Sequence, residues 1–218
     1  MINLQNITLV SVTSVNVDRT IRALRYSSKD ITFGDVLLLT DKDVSPYGIK
    51  TVKIEPLDYI GYSKFIVYEL HKYINTEFAL IIQDDGFIIN PDKWVDEFFN
   101  YDYIGAPFPI PVDGDNITYR DPFGNLIRVG NGGFSLRSKK ILSLGTELGL
   151  EWKSYFGYYN EDGFFTCHNR HIYEKNGCVY APVEIAAKFS HERQTSETIG
   201  IAPFGFHGKN NININLIN

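Results

Sequence analysis

The sequence predicts one α/β domain with a mostly parallel central sheet flanked by helices. Three observations carry this. Apolar, β-branched runs recur at 7–12, 35–39 and 78–82. Segments of helical periodicity separate them. The chain has 218 residues, a length for one domain. Continuous apolar runs belong to strands covered on both faces, and alternation with helices makes such strands parallel.

The elements follow in chain order. Residues 7–12 form a strand, and 19–27 form a helix with Ile21, Leu24 and Arg25 spaced for one face. Residues 35–39 form the second strand, ended by Thr40-Asp41. Ser63 caps a helix in which Ile66, Leu70, Tyr73 and Ile74 repeat at helical spacing. Residues 78–82 form the third strand. Asn90-Pro91 opens a helix that turns Trp94, Val95, Phe98 and Phe99 inward. Asp113–Asn125, rich in Gly, Asp, Asn and Pro, reads as a long loop. Ser138 caps a short helix ended by Gly145. Asn160 caps a longer one running to about Lys175, with Gly177 as its stop. Val179–Ala181 reads as a short strand, and the alternating tail 210–218 as a strand or an irregular terminus.

Composition narrows the function. Lys and Arg total 21 against 26 Asp and Glu, a net charge of −5. With 44% apolar and 22% charged residues, disorder is excluded for the chain as a whole. An acidic chain without a dense basic cluster is poorly equipped for nucleic acid. No apolar run approaches the roughly twenty residues of a membrane helix. The start, Met1-Ile2-Asn3-Leu4-Gln5, lacks the pattern of a signal peptide. Cys167 and Cys178 make no metal-spacing pair, so the expectation is a cytoplasmic protein with reduced thiols. The 14 Tyr and 15 Phe fit a sugar-binding surface and equally an AT-rich genome.

Ligand sites in such sheets lie beyond the carboxyl ends of the strands. There the sequence reads Gln83-Asp84-Asp85-Gly86. In extended chain Gln83 and Asp85 share one face and Asp84 takes the other. Two adjacent carboxylates there suit a hard divalent cation, and they also suit an ordinary Asp-Asp-Gly turn. Next, Gly130-Asn131-Gly132-Gly133 leaves backbone N–H groups open to a close ligand, or makes a tight turn; it is not a phosphate-binding P-loop. In Tyr158-Tyr159-Asn160-Glu161-Asp162-Gly163, both acids fall in a first helical turn, where the dipole favours the ionised form. Such a carboxylate can take a proton from an attacking hydroxyl, or can simply complement the helix. Finally His207 lies in Phe204-Gly205-Phe206-His207-Gly208, with room to reach a metal or phosphate. His168 and His171 are assigned to packing.

Together with Tyr101-Asp102-Tyr103-Ile104-Gly105-Ala106-Pro107, Tyr180-Ala181-Pro182 and Phe189-Ser190-His191-Glu192, these segments resemble the DUF5672 family of GT-A-fold glycosyltransferases over roughly 7–208. The resemblance implies one GT-A-like domain over 1–218, its donor-binding half at about 1–110 and its acceptor and catalytic half at about 111–218. It implies a nucleotide-sugar donor, UDP-linked by preference, a glycan or other hydroxyl-bearing acceptor, and Mn²⁺ or Mg²⁺. The GT-A Asp-x-Asp motif aligns on Gln83-Asp84-Asp85, with Gln83 in place of the first Asp. Asp85 and His207 are then the metal ligands. Thr13, Arg22, Gln83, Asp84, Gly132 and Gly133 bind the donor. Asp162 is the base of an inverting displacement, and Glu161 holds an acceptor hydroxyl. Retention stays open. A nucleotidyltransferase would want a Gly-rich loop after the first strand, and 11–17 contains no glycine. A non-catalytic nucleotide- or carbohydrate-binding module is the third reading.

Overall fold

A computed structural model describes residues 2–153, 159–210 and 212–217. Its centre is a six-stranded sheet of order β3-β2-β1-β4-β7-β6. The strands are β1 (Ile2–Val12), β2 (Ile31–Thr40), β3 (Lys50–Lys53), β4 (Phe78–Ile82), β6 (Tyr103–Ile104) and β7 (Phe134–Ser138). A small three-stranded sheet joins β5 (Gly86–Ile88), β9 (Gly205–His207) and β8 (Ser190–His191). β1 to β4 pair in parallel, and β7 runs antiparallel to both β4 and β6. The mostly parallel expectation therefore holds for the first half, and the second half adds an antiparallel edge.

The period-2 alternation of the strands divides the core between the two faces of the sheet. Leu9, Leu38, Leu80 and Leu136 pack on one side with Leu24 of α1 (Val17–Ser28) and Phe189 of α6 (Val183–Phe189). Val10, Leu37, Leu39 and Ile81 pack on the other with Ile66 of α2 (Tyr59–Tyr68) and Ile141 of α3 (Lys139–Glu147). These side chains are almost wholly removed from water, each burial worth roughly 1.5–3 kcal/mol. The same double coverage produces the continuous apolar runs of the sequence.

Several local expectations change. The second helix starts four residues before Ser63: Asp58 is its cap, accepting from Gly61 N at 2.6 Å, and Ser63 is buried inside it. The aromatic segment after Asn90 forms two short 3₁₀ turns, Pro91–Lys93 and Asp96–Asn100, and leaves Val95 exposed. The helix after Asn160 is broken into one turn, α4 (Glu161–Gly163), a π-helical stretch Phe164–His168, and α5 (Arg170–Lys175). Asn160 makes no side-chain cap; its amide oxygen accepts from the Tyr59 hydroxyl instead. Tyr180 contributes a single bridge to Tyr103 rather than a strand. The tail winds as a 3₁₀ helix, Ile212–Ile217. Ser138 does cap α3, accepting from Ile141 N. Tyr158 lies outside the described residues. Among the described residues no helix is long and apolar enough to cross a membrane.

Candidate active site

A cleft of about 670 Å³ opens where β1 and β4 end, a size suited to a small ligand. The β1 end supplies Thr13 and Asn16, and the β4 end Gln83 and Asp84. The facing wall comes from the β6–β7 connection and α4, with Asn131, Gly133, Glu161 and Asp162. His207 enters from the small sheet.

The meeting of His207 with Asp85 is dictated by pairing. β5 and β9 are antiparallel with Gly86 opposite His207, and Gly208 N donates to Asp85 O at 2.9 Å. His207 Nε2 therefore stands 3.2 Å from Asp85 Oδ1 and 3.2 Å from Gln83 Oε1. Its Nδ1 lies 3.6 Å from Glu192 Oε1, an ion-pair distance. Both ring nitrogens face oxygen, so the imidazolium is favoured. Desolvation works to lower its pKa, and the Asp85 and Glu192 carboxylates outweigh it, pushing His207 up to about 10. Burial works to raise Asp85, and the His207 hydrogen bond overrides it, so that carboxyl lies below its ordinary value.

The alternation read from the sequence is present. Gln83 and Asp85 both turn to His207, and Asp84 turns away, its Oδ2 accepting from Asn16 Nδ2 at 3.0 Å. Gln83 is fixed from its other end, Nε2 donating to the Tyr62 hydroxyl at 2.9 Å. Arg22 is not brought into the site. It is exposed on α1, along a separate groove with Asp18 and Arg25. One turn earlier Arg19 reaches the site's edge, its Nε donating to Asp84 O at 3.1 Å.

The two glycines are explained by what stands over them. A Cβ on Gly133 would lie 2.0 Å from His207 Nε2, and one on Gly132 would lie 2.2 Å from Glu161 Oε1. Only glycine lets this backbone pass so close to both. Gly132 N donates to Asp162 Oδ2 at 3.1 Å, and Gly163 N to Asp162 Oδ1 at 2.8 Å, so both carboxylate oxygens are held. Glu161 is paired otherwise. Its Oε1 meets Arg137 Nη2 at 3.1 Å, and Arg137 is wholly buried between Tyr103 and Phe165, 4.9 Å from each ring centre. Glu161 is thus held through Oε1 in a buried ion pair that the sequence did not indicate.

Residues 50–207 match a family described as a protein of unknown function (DUF5672). The chain belongs to the DUF5672 family. Among curated proteins none matches it. This DUF5672 domain resembles the crystal structure of an active-site mutant of LgtC, with a TM-score of 0.53 and 12% identity, covering 92% of this chain and 86% of that one. The S. aureus TarS 1–349 structure overlaps at a TM-score of 0.41 and 15% identity, covering 69% of this chain and 52% of that one. The fold is the GT-A fold of glycosyltransferases.

Whether the DUF5672 site suits a divalent cation is a question of donor spacing. Bonds of about 2.0–2.2 Å at right angles put neighbouring donors about 3 Å apart. The 3.2 Å separations of His207 Nε2 from Asp85 Oδ1 and Gln83 Oε1 fit that spacing. Carboxylate and amide oxygens suit Mn²⁺ or Mg²⁺, and the imidazole favours the transition metal of the two. Among the described residues no cluster of three or more His, Cys, Asp or Glu surrounds one point. Asp85 and His207 thus present two ionisable groups and Gln83 one amide oxygen, with His207 Nε2 3.2 Å from both oxygens. Tyr62, Asn16, Arg19, Glu192 and Arg193 went unassigned in the sequence. Glu192 and Arg193 follow β8, and only the pairing of β8 with β9 brings them here.

Proposed function

We propose that this DUF5672 protein is a glycosyltransferase that moves a sugar from a nucleoside diphosphate, UDP by preference, to an acceptor hydroxyl. The observation that carries this is the pairing of Asp85 with His207 at the carboxyl end of β4, across one cleft from Asp162. Thr13 and Asn16 at the end of β1 flank the nucleotide, and Gln83 offers it a polar amide held by Tyr62. Lys209 borders the same cleft and sets a cation beside the diphosphate. Asp85 and His207, with Gln83 beside them, would hold Mn²⁺ or Mg²⁺, which neutralises charge on the departing diphosphate.

Asp162 acts as the base. Its carboxylate is aimed by the Gly132 and Gly163 N–H groups, and it takes the acceptor's proton as the hydroxyl oxygen bonds to the anomeric carbon. The bond from that carbon to the diphosphate oxygen breaks on the opposite face, giving inversion. The Arg137–Glu161 pair fixes the turn that carries Asp162. Titration calorimetry with UDP, GDP and CDP, each with Mn²⁺ and with EDTA, tests the reading. Tight binding of one nucleotide only with metal is expected. Binding of none in Mn²⁺ overturns it.

A further inference from the structure

The small sheet has the order β5-β9-β8, so His207, the last residue of the central strand, is flanked on both sides. On one side Asp85 enters β5, with Gly86 opposite His207. On the other, β8 pairs in parallel with β9, Ser190 with Gly205 and His191 with Phe206, which carries Glu192 alongside His207. One imidazole thus stands between two carboxylates delivered by strand register. Its Nε2 is 3.2 Å from Asp85 Oδ1, and its Nδ1 is 3.6 Å from Glu192 Oε1.

The two edges of the ring are not equivalent. Nε2 has Asp85 Oδ1 and Gln83 Oε1 within hydrogen-bond reach. Nδ1 is buried and, among the described residues, makes no hydrogen bond. Glu192 is the carboxylate that faces it, and among the described residues this is the only ion pair of Glu192. A neutral imidazole carries one N–H, and a nitrogen that binds a cation cannot hold that proton. When Nε2 serves as a ligand, the proton is therefore on Nδ1, as a buried donor that needs an acceptor. Asp85 and Gln83 lie on the Nε2 edge and cannot supply one. Ligating histidines ordinarily give their second N–H to a carboxylate or carbonyl, which fixes the tautomer and raises the basicity of the ligating nitrogen.

Resting on the glycosyltransferase reading and its cation, we propose that Glu192 is a positioning residue, which accepts the Nδ1 proton of His207 and so presents Nε2 to Mn²⁺ or Mg²⁺. The 3.6 Å separation closes to a hydrogen bond by a small shift of the Glu192 side chain, which is 25% exposed and has room to move.

Mn²⁺ uptake by the whole chain tests this, with free Mn²⁺ counted by electron paramagnetic resonance in the presence and absence of UDP against protein-free blanks. Calorimetry of UDP in EDTA gives the metal-free reference. Glu192→Ala is expected to weaken Mn²⁺ uptake about 10–100-fold and to change UDP affinity in EDTA little. Glu192→Gln keeps a neutral acceptor for the Nδ1 proton and is expected to fall between the wild type and Glu192→Ala. In a His207→Gln background Glu192→Ala should add less than about twofold, because Glu192 acts through the ring. Unchanged Mn²⁺ uptake in a folded Glu192→Ala overturns the proposal. An equal loss in EDTA overturns it too, since Glu192 then touches the nucleotide, and so does a full loss in the His207→Gln background. If Glu192→Ala fails to fold, Glu192→Gln decides, and uptake at the wild-type level in that variant overturns the proposal. UDP binding with no Mn²⁺ uptake by the wild type overturns it and keeps the nucleotide reading. Glu192-dependent Mn²⁺ uptake with no UDP binding keeps it and rejects the nucleotide.

Discussion

His207 Nε2 lies 3.2 Å from Asp85 Oδ1 because β9 places His207 directly opposite Gly86, the next residue after Asp85. Strand register rather than loop flexibility brings together two residues far apart in sequence. Each end of the contact belongs to a paired strand or the turn entering it. The pair is preorganised, and its charge state is set before a ligand arrives.

That charge state gives the first expected outcome. A cation at Nε2 must displace a proton from a ring whose pKa is pushed up to about 10. Mn²⁺-supported UDP affinity should therefore rise with pH, by about tenfold per unit where one proton is released. Calorimetry between mildly acidic and alkaline pH, in buffers of different ionisation heat, measures both affinity and proton release. The metal-free protein should move the other way. A raised pKa means that the protonated ring's stabilisation is complete below the ordinary value of 6.5 and is lost as pH rises through about 10. His207→Gln should flatten both profiles, and a pH-independent affinity in the wild type would reject the assignment.

Gly133 offers a steric test. The alanine Cβ would fall 2.0 Å from His207 Nε2 and 2.3 Å from Cδ2, so the ring must move off Asp85. Gly133→Ala should lose most metal-dependent nucleotide affinity while binding measured in EDTA changes little. Gly48→Ala is the control for a glycine outside the cleft, where a Cβ meets nothing within 4 Å and only the positive φ is strained. Equal metal dependence in Gly133→Ala and the wild type would place the cation elsewhere.

These contacts show what the sequence could and could not disclose. The 78–82 run read correctly because both faces of β4 are buried, leaving an unbroken apolar signal. The alternation of Gln83, Asp84 and Asp85 followed from backbone geometry alone. Ser63 misled because it combines a capping residue type with helical spacing, while Asp58 already satisfies the N–H group. The long helix after Asn160 failed because a π-helical stretch keeps apolar residues buried while breaking the 3.6 period. Phe134–Ser138 carries no strand signal beside the glycines that precede it, yet it pairs with both β4 and β6 in the sheet. Arg22 and Arg19 are three apart on one helix, and only the three-dimensional path of the chain decides which one reaches Asp84.

The Arg137–Glu161 pair predicts a stability effect that precedes any kinetic one. The two side chains are 0% and 6% exposed. Removing one partner strands the other's charge, at roughly 3–5 kcal/mol. Glu161→Gln and Arg137→Met should each lower the denaturant midpoint sharply, and the double variant should cost much less than their sum. Chemical denaturation of the four proteins gives the coupling. Additive losses would mean that the pair does not anchor α4.

Asp162 provides the most direct kinetic test, and the structure changes how it must be run. Both of its oxygens accept backbone N–H bonds, from Gly132 and Gly163. Asparagine supplies one oxygen and one NH₂, so one of those donors loses its acceptor, at about 1–3 kcal/mol. Asp162→Asn should thus melt somewhat lower than the wild type, and folding must be checked before activity is compared. In the folded variant turnover should fall roughly 10²–10⁴-fold, the usual worth of a general base. Nucleotide affinity in Mn²⁺ should stay near the wild-type value, since the lost proton transfer belongs to the transition state. Asp85→Asn separates cleanly from this, damaging nucleotide binding and turnover together. Glu161→Gln should follow its stability, losing activity in proportion to the unfolded fraction and regaining it at lower temperature. If the folded Asp162→Asn protein transfers at the wild-type rate, Asp162 is a structural cap for the Gly132 backbone and the base lies elsewhere in the cleft.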